Sequence, residues 1–258
     1  MESHLTPYQA VPYIDCRAAI VFAPHPDDET LGCGGLLAAY AASSVPVHVI
    51  VVTSGGYGEH GRAGTATREN ESRAACARLG IPRVGFWRES DRGVACNEST
   101  VLRAMQDILR ADANLVLAPS IHEIHPDHRA TAWIAIEAAR RLVLQGHELR
   151  VAMYEIGHPL HRVDALVDIT PFASVKREAV ACYRSQLDIR PYDEVILALN
   201  RYRTYTLPAS VALAEAYALI DAQMLRQPEL IAESELHRQE RLGLTSVPMP
   251  PSVAIGRP

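Results

Sequence analysis

Residues 21–35, VFAPHPDDETLGCGG, decide how the rest of the chain is read. An apolar run ends at Ala23, and His25, Asp27, Asp28 and Glu29 follow within six residues, ahead of a glycine-containing stretch. A strand that feeds directly into ionisable groups is how an open α/β sheet presents a ligand site, because ligands bind beyond the carboxyl ends of parallel strands. A solvated surface turn also tolerates such charge. It must then account for APSIHEIHPDH at 118–128, where a second apolar run ends in a second His-Pro-Asp.

Outward from these two points, apolar runs recur at AAIVFAP (18–24), VPVHVIVVTS (45–54), RVGFW (83–87), NLVLAPS (114–120) and LRVAMYEI (149–156). Their near lack of polar alternation predicts strands buried on both faces, as in a parallel sheet. The segments between them read as helices. NESTVLRAMQDILRA places Val101, Leu102, Met105, Ile108 and Leu109 on one face. ATRENESRAACARLG closes on Gly80, with Pro82 preventing continuation. In RATAWIAIEAARRLVLQG, Trp133, Ile136, Leu142 and Val143 are expected to face the sheet. This alternation predicts an α/β fold, a doubly wound, mostly parallel, Rossmann-like sheet with helices on both faces and right-handed crossovers.

Beyond about residue 165 the pattern becomes SVKREAVACYRSQ and PASVALAEAYALIDAQML, separated by RPYDEVILALNRYRTYTLP, and predicts a C-terminal helical elaboration. Residues 1–245 are read as one domain, with a core at about 18–165 and the elaboration at about 166–245. Residues 246–258 form a Pro-rich tail expected to be extended.

With 258 residues, 48% hydrophobic and 21% charged, the composition is that of a globular protein rather than a disordered one. A net charge of −5 argues against nucleic acid as the partner and for a small molecule. The N-terminus lacks a basic start followed by a long apolar segment, so neither a secretion signal nor a membrane span is expected, and the expected location is cytoplasmic. The five cysteines form no C-x-x-C pair and are read as buried free thiols.

Pro26 and Pro126 push His25 and His125 out of the helical region while suiting a helix's first turn. Asp27, Asp28, Glu29 and Asp127 then lie where a helix dipole favours negative charge, which is a sufficient structural account of Glu29. It does not account for the histidines. If His25, Asp28 and His128 converge, two imidazoles and a carboxylate form the ligand set of a catalytic zinc site with one position left for water. The same set describes the facial triad of non-haem iron enzymes, so the residues leave an oxidative enzyme open. Pro126 breaks any histidine stripe through His122, His125 and His128, and His122 is read as an exposed loop residue with Glu123 beside it.

The sequence resembles the PIG-L/LmbE-like family of zinc-dependent N-deacetylases. The resemblance is carried by APHPDDE at 23–29 and HPDH at 125–128, with VVTSGGYGE, ATRENESRAACARLGI, SDRG, VDIT, YRSQ and AEAY in support, and it spans about residues 18–220. It implies that His25, Asp28 and His128 bind one zinc ion and that Asp27 is the general base. It implies further that a protonated His125 stabilises the oxyanion, with Asp127 orienting or charging that imidazole, and that Arg68 and Asp91 touch the substrate. The implied reaction is hydrolysis of an N-acetyl group on an N-acetylglucosamine-type amino sugar or its conjugate, and the resemblance is compatible with a homo-oligomer.

Motifs for other chemistries are missing: there is no G-x-S-x-G elbow and no phosphate-binding P-loop. LGCGGLL has Leu37 where a dinucleotide fingerprint needs its third glycine, so Gly32 and Gly34 are read as serving close helix packing. SGGYG (54–58) is a substrate loop or a tight turn, Trp87 a sugar platform or a core aromatic, and Glu155 with His158 a pocket pair or a surface pair. An amidase for a larger acyl group and a non-catalytic carbohydrate- or metal-binding protein stay open beside the deacetylase.

Overall fold

Five strands form where the apolar runs predict them: β1 (Ala19–Ala23), β2 (Val47–Thr53), β3 (Arg83–Glu89), β4 (Leu115–Pro119) and β5 (Arg150–Tyr154). The computed structural model describes residues 6–56 and 64–227, so the tail at 246–258 and part of the SGGYG segment lie outside the described residues. All five strands pair in parallel, in a seven-stranded sheet of order β3-β2-β1-β4-β5-β7-β6. Alternate side chains enter two cores. Ile20 and Phe22 pack with Val101, Ile108 and Ile134 on one face, while Ala19, Val21 and Ala23 pack with Leu36, Leu37 and Cys76 on the other.

The helices follow from these two cores. α1 (Asp28–Ala42), α2 (Thr65–Arg78) and α5 (Ala173–Val180) contribute to one face, and α3 (Glu98–Arg110), α4 (Pro126–Leu144) and α8 (Ala222–Arg226) to the other. The chain runs from β1 out to β2 and β3, then returns to place β4 on the opposite side of β1. That reversal leaves a crevice beyond the carboxyl ends of β1 and β4, where an α/β sheet binds its ligand.

The doubly wound arrangement holds, but part of the C-terminal elaboration is sheet rather than helix. Ala214–Ile220, within the stretch expected to be helical, is strand β7, and it lies antiparallel between β5 and β6 (Ala165–Asp168). Helix is confined there to the five residues of α8. AEAYALI is rich in helix formers, yet Ala216, Ala218 and Ile220 fill one core and Tyr217 the other, so the open edge of β5 overrides local propensity. The remainder of the elaboration is helical: α5, α6 (Arg184–Leu187) and α7 (Tyr192–Tyr202).

Three apolar residues expected to face the sheet do not. Leu102 and Leu109 are 44% and 49% exposed and Trp133 is 38% exposed, because Val101, Ala104, Met105 and Ile108 on α3, and Ile134, Ala135, Ala138 and Leu142 on α4, already form the buried stripes. Trp87 is a core residue whose Nε1–H donates to Asp107 Oδ2 at 2.8 Å, not a sugar platform. All five cysteines are free, but only Cys33 and Cys76 are buried; Cys96 is exposed. Among the described residues, no helix is long and apolar enough to cross a membrane.

Helix α1 breaks at Cys33 (φ −138°, ψ 18°). The N–H groups that follow, of Gly35 and Leu36, donate to the Glu215 carboxylate of β7 at 2.7 and 2.8 Å. Glu215 also accepts from Tyr217 and from the fully buried Lys176, at 2.8 and 2.7 Å, so the buried ion pair is hydrogen-bonded throughout. Close packing is confirmed for Gly32, where a Cβ would lie 2.3 Å from Tyr154 Cδ2. It is not the role of Gly34, where a Cβ finds ordinary contact at 3.5 Å. Gly32→Ala is therefore expected to cost about 1–3 kcal/mol by overpacking, and thermal unfolding should show a Tm several degrees below that of Gly34→Ala. Equal Tm values for the two variants would contradict this.

Candidate functional site

The two His-Pro-Asp segments turn into their helices differently. In the second, His125 is the N-cap of α4 in extended conformation and Pro126 is the first helical residue, so Asp127 and His128 stand in the first turn. In the first, α1 begins only at Asp28, and Asp27 takes φ 142° and ψ −30°. A non-glycine residue rarely adopts that conformation and needs surroundings that enforce it. Here its N–H donates to Glu29 Oε2 at 3.1 Å, and its carbonyl accepts from the N–H groups of Thr30 and Leu31 at 3.0 and 2.9 Å.

Glu29 is thus more than a charge on the helix dipole. It is fully buried, and its Oε1 accepts from Ser72 Oγ at 2.6 Å and Tyr183 OH at 2.5 Å. Burial pushes its pKa up, against the pull of those two hydroxyls. Tyr183 lies in the YRSQ segment, and only the fold reveals that it reaches back to the first cluster.

His25, Asp28 and His128 converge. Asp28 Oδ2 lies 3.1 Å from His25 Nδ1 and 3.2 Å from His128 Nε2, and those two nitrogens are 3.2 Å apart. Tetrahedral bonds of about 2.0 Å put donors about 3.3 Å apart. The triangle therefore fits a small divalent cation. Burial pushes the Asp28 pKa up, but His128 and His25 outweigh it and hold the carboxyl well below its usual range. Burial likewise pulls His128 down, yet Asp28 and Glu123 raise it to about 9. A metal taken up here would displace the proton that the raised His128 imidazole holds.

The outer nitrogens meet carboxylates, as metal-ligating histidines require. His25 Nε2 lies 3.3 Å from Asp127 Oδ2 and 3.5 Å from Asp91 Oδ1. His128 Nδ1 lies 3.4 Å from Glu123 Oε2. Asp127 stands farther from His125, with Oδ2 4.0 Å from His125 Nδ1, and its carboxylate also accepts from the N–H groups of Arg92 and Val94 at 2.6 and 3.2 Å. His125 Nδ1 accepts from the N–H of Asp127 at 3.2 Å, which leaves the ring proton on Nε2. Burial, then the neighbouring His25 and His128, lower the His125 pKa.

Two further groups of donors lie within 4.8 Å of one another, His25, His125 and His128, and His25, Asp91, His125 and Asp127; the His125 Nδ1 and Asp127 Oδ2 atoms are engaged by backbone N–H groups. The triangle with Asp28 is the better cation site.

Asp27 takes no part in the triangle. Its Oδ2 accepts from Arg68 Nη2 at 3.1 Å, and burial pushes its pKa up to about 7 against the pull of Arg68. Arg68 also donates to the carbonyls of Gly55 and Pro26, at 2.6 and 2.7 Å. At Gly55 (φ 65°) a Cβ would lie 2.4 Å from Arg68 Nη1, so both the turn and the guanidinium require glycine. Arg68 lines the pocket, yet two of its hydrogen bonds position Asp27 and its loop, and the third holds Gly55.

The pocket measures about 480 Å³ and takes in His25, Asp27, Asp28, Asp91, His125 and His128. Gln186 of α6, Tyr192 of α7, Ile124, Ile156 and Gly157 line it as well. Glu123, read only as the neighbour of His122 in the loop, is 2% exposed. His122 is half-buried rather than exposed. Glu155 is neither a pocket residue nor a surface one: it is buried and pairs with Arg203.

The family described as PIG-L, GlcNAc-PI de-N-acetylase, matches residues 20–139, which include both His-Pro-Asp segments. The conserved protein TT1542 of Thermus thermophilus has the same fold, with a TM-score of 0.69 and 31% identity over 78% of this chain and 93% of that one. The chain belongs to the PIG-L family.

A named relative of this PIG-L protein is the 1D-myo-inositol 2-acetamido-2-deoxy-alpha-D-glucopyranoside deacetylase of Mycolicibacterium vanbaalenii. It is 26% identical over 226 residues, covering 65% of this chain and 80% of that enzyme. GalB, the 4-carboxy-2-hydroxymuconate hydratase of Pseudomonas putida KT2440, shares the fold at a TM-score of 0.68 and 24% identity, covering 79% of this chain and 96% of that one. A fold does not choose a reaction, and the site must. In this PIG-L chain the site offers what amide hydrolysis requires: histidine and carboxylate donors able to hold a metal ion, with a further carboxylate beside them that is not a donor.

Proposed function

We propose that this PIG-L enzyme removes the N-acetyl group from an N-acetylglucosamine-type amino sugar or its conjugate, with one zinc ion held by His25, Asp28 and His128. The observation that carries the reading is the division of labour between adjacent aspartates. Asp28 completes the donor triangle, while Asp27 turns away to Arg68 and faces the same pocket. Zinc bound there supplies a Lewis acid and brings the pKa of a bound water to about 7.

The chain's own groups carry out the remaining steps. Asp27, with a pKa near 7, takes a proton from the attacking water and returns it to the departing amine. Arg68 keeps its carboxylate aimed, and Glu29 holds its backbone. His125 Nε2–H donates to the developing oxyanion, an interaction worth roughly 3 kcal/mol per donor. Asp127 holds the His25 ring by accepting at Nε2, and Asp91 lines the pocket as a partner for sugar hydroxyls. The substrate class follows from the family description and from the acetamido-glucopyranoside relative. A pocket of about 480 Å³ suits one sugar ring with part of its aglycone.

The test is an acetate-release assay on N-acetylglucosaminides that differ in aglycone, with bound metal quantified. One acetate per amine formed, activity lost to a chelator and restored by zinc, is the expected result. Release only of longer acids from N-acyl analogues would support a larger-acyl amidase. Hydration of 4-carboxy-2-hydroxymuconate or oxygen uptake without amine formation would reject the deacetylase, and tight zinc binding with no turnover would leave a binding protein.

A further inference from the structure

We infer that Glu123 is a positioning residue that serves two parts of the site at once: it sets the ring of His128, and it fixes the 156–158 segment of the pocket wall. The inference rests on the proposed reading of His128 as a metal ligand. Glu123 Oε2 stands 3.4 Å from His128 Nδ1, the nitrogen that faces away from the donor triangle. The same carboxylate accepts from three consecutive backbone groups beyond β5. Ile156 N–H reaches Oε1 at 2.8 Å, Gly157 N–H reaches both oxygens at 3.1 and 3.0 Å, and His158 N–H lies 3.4 Å from Oε1.

The turn that carries Glu123 is itself fixed. Its N–H donates to the Ser120 carbonyl at 3.2 Å, and Arg129 Nη1 donates to the carbonyls of Glu123 and Ile124 at 2.8 and 2.6 Å. A buried carboxylate with few alternatives thus stands between a donor of the triangle and Ile156 and Gly157, which line the pocket. A surface glutamate could not do this. Its negative charge favours an Nδ1–H on His128, which leaves Nε2 with a lone pair toward the cation and makes it a better donor. The three backbone groups, aimed at the same oxygens, tie the pocket wall to that ring.

Glu123→Gln in the full chain tests both halves. The amide keeps the size, but it removes the negative charge facing His128 Nδ1 and, with one carbonyl oxygen and an NH₂, cannot accept from all three loop groups together. The zinc dissociation constant, measured by competition with a chromophoric chelator, is expected to rise roughly 10–100-fold. At saturating zinc, KM for an N-acetylglucosaminide is expected to rise by more than kcat falls. Glu123→Asp, which keeps the charge, should recover part of the zinc affinity and supplies the comparison if Glu123→Gln does not fold. Unchanged zinc affinity in a folded variant, or an unchanged KM, overturns the inference. His128→Ala run alongside separates the two readings. If it still binds zinc, the ligand assignment fails; if it loses zinc while Glu123→Gln binds normally, only the role of Glu123 fails.

Discussion

Asp27→Asn is expected to leave one zinc ion bound and to lower kcat roughly 10²–10⁴-fold, the usual contribution of a positioned general base. The substitution is conservative for the fold. Asparagine tolerates positive φ better than most side chains, and the N–H that reaches Glu29 and the carbonyl that accepts from Thr30 and Leu31 are unchanged. What disappears is the acceptor of a proton and the charge facing Arg68. Zinc stoichiometry near one and a Tm close to that of the parent would localise the loss to chemistry.

The pH profile checks the same assignment. Asp27 acts as base only when ionised, and burial holds its pKa at about 7, so activity should fall as pH drops through about 7 or, with a cation nearby, somewhat lower. Asp27→Asn should abolish that limb along with most of the rate. A variant that turns over at the parent rate would remove Asp27 from the mechanism.

His128→Ala is expected to lose both stoichiometric zinc and activity, because it deletes one corner of the donor triangle and leaves Asp28 with a single imidazole partner. A companion measurement is the pH dependence of zinc binding to the parent protein. His128 titrates at about 9 and His25 is held well above the usual imidazole range. At neutral pH the metal-free site therefore holds protons that zinc must expel, and affinity should strengthen by up to about tenfold per pH unit for each proton released as pH rises toward about 9. Binding that is flat with pH, or a His128→Ala protein still carrying one zinc per chain, would place the metal elsewhere.

Much of this site is legible in the linear sequence because strands of a parallel sheet deliver their carboxyl ends to one edge. Two apolar runs ending in His-Pro-Asp predict adjacency, and β1 and β4 are neighbours with Val21 opposite Leu117. Glu123 and Glu29 are not legible. A lone glutamate in a polar loop carries no signal and one in a helix's first turn reads as a charge on the helix dipole, and only burial against His128, or against Ser72 and Tyr183, makes them parts of the site. The lowered pKa of His125 is a product of packing too, since burial and then two imidazoles set it, one of them about a hundred residues away in the chain.

By itself the sequence determined the layered α/β architecture, the two His-Pro-Asp segments at strand ends and the family, because hydrophobic periodicity, proline stereochemistry and the types of adjacent side chains are local properties. Only the tertiary structure decided that AEAYALI is a strand, that the Asp127 carboxylate lies nearer His25 than His125, and that Glu123 is buried between His128 and the 156–158 backbone. Those outcomes depend on which partners stand a few ångströms away across the fold. Burial and long-range hydrogen bonds set them, and neither is encoded in any one stretch of chain.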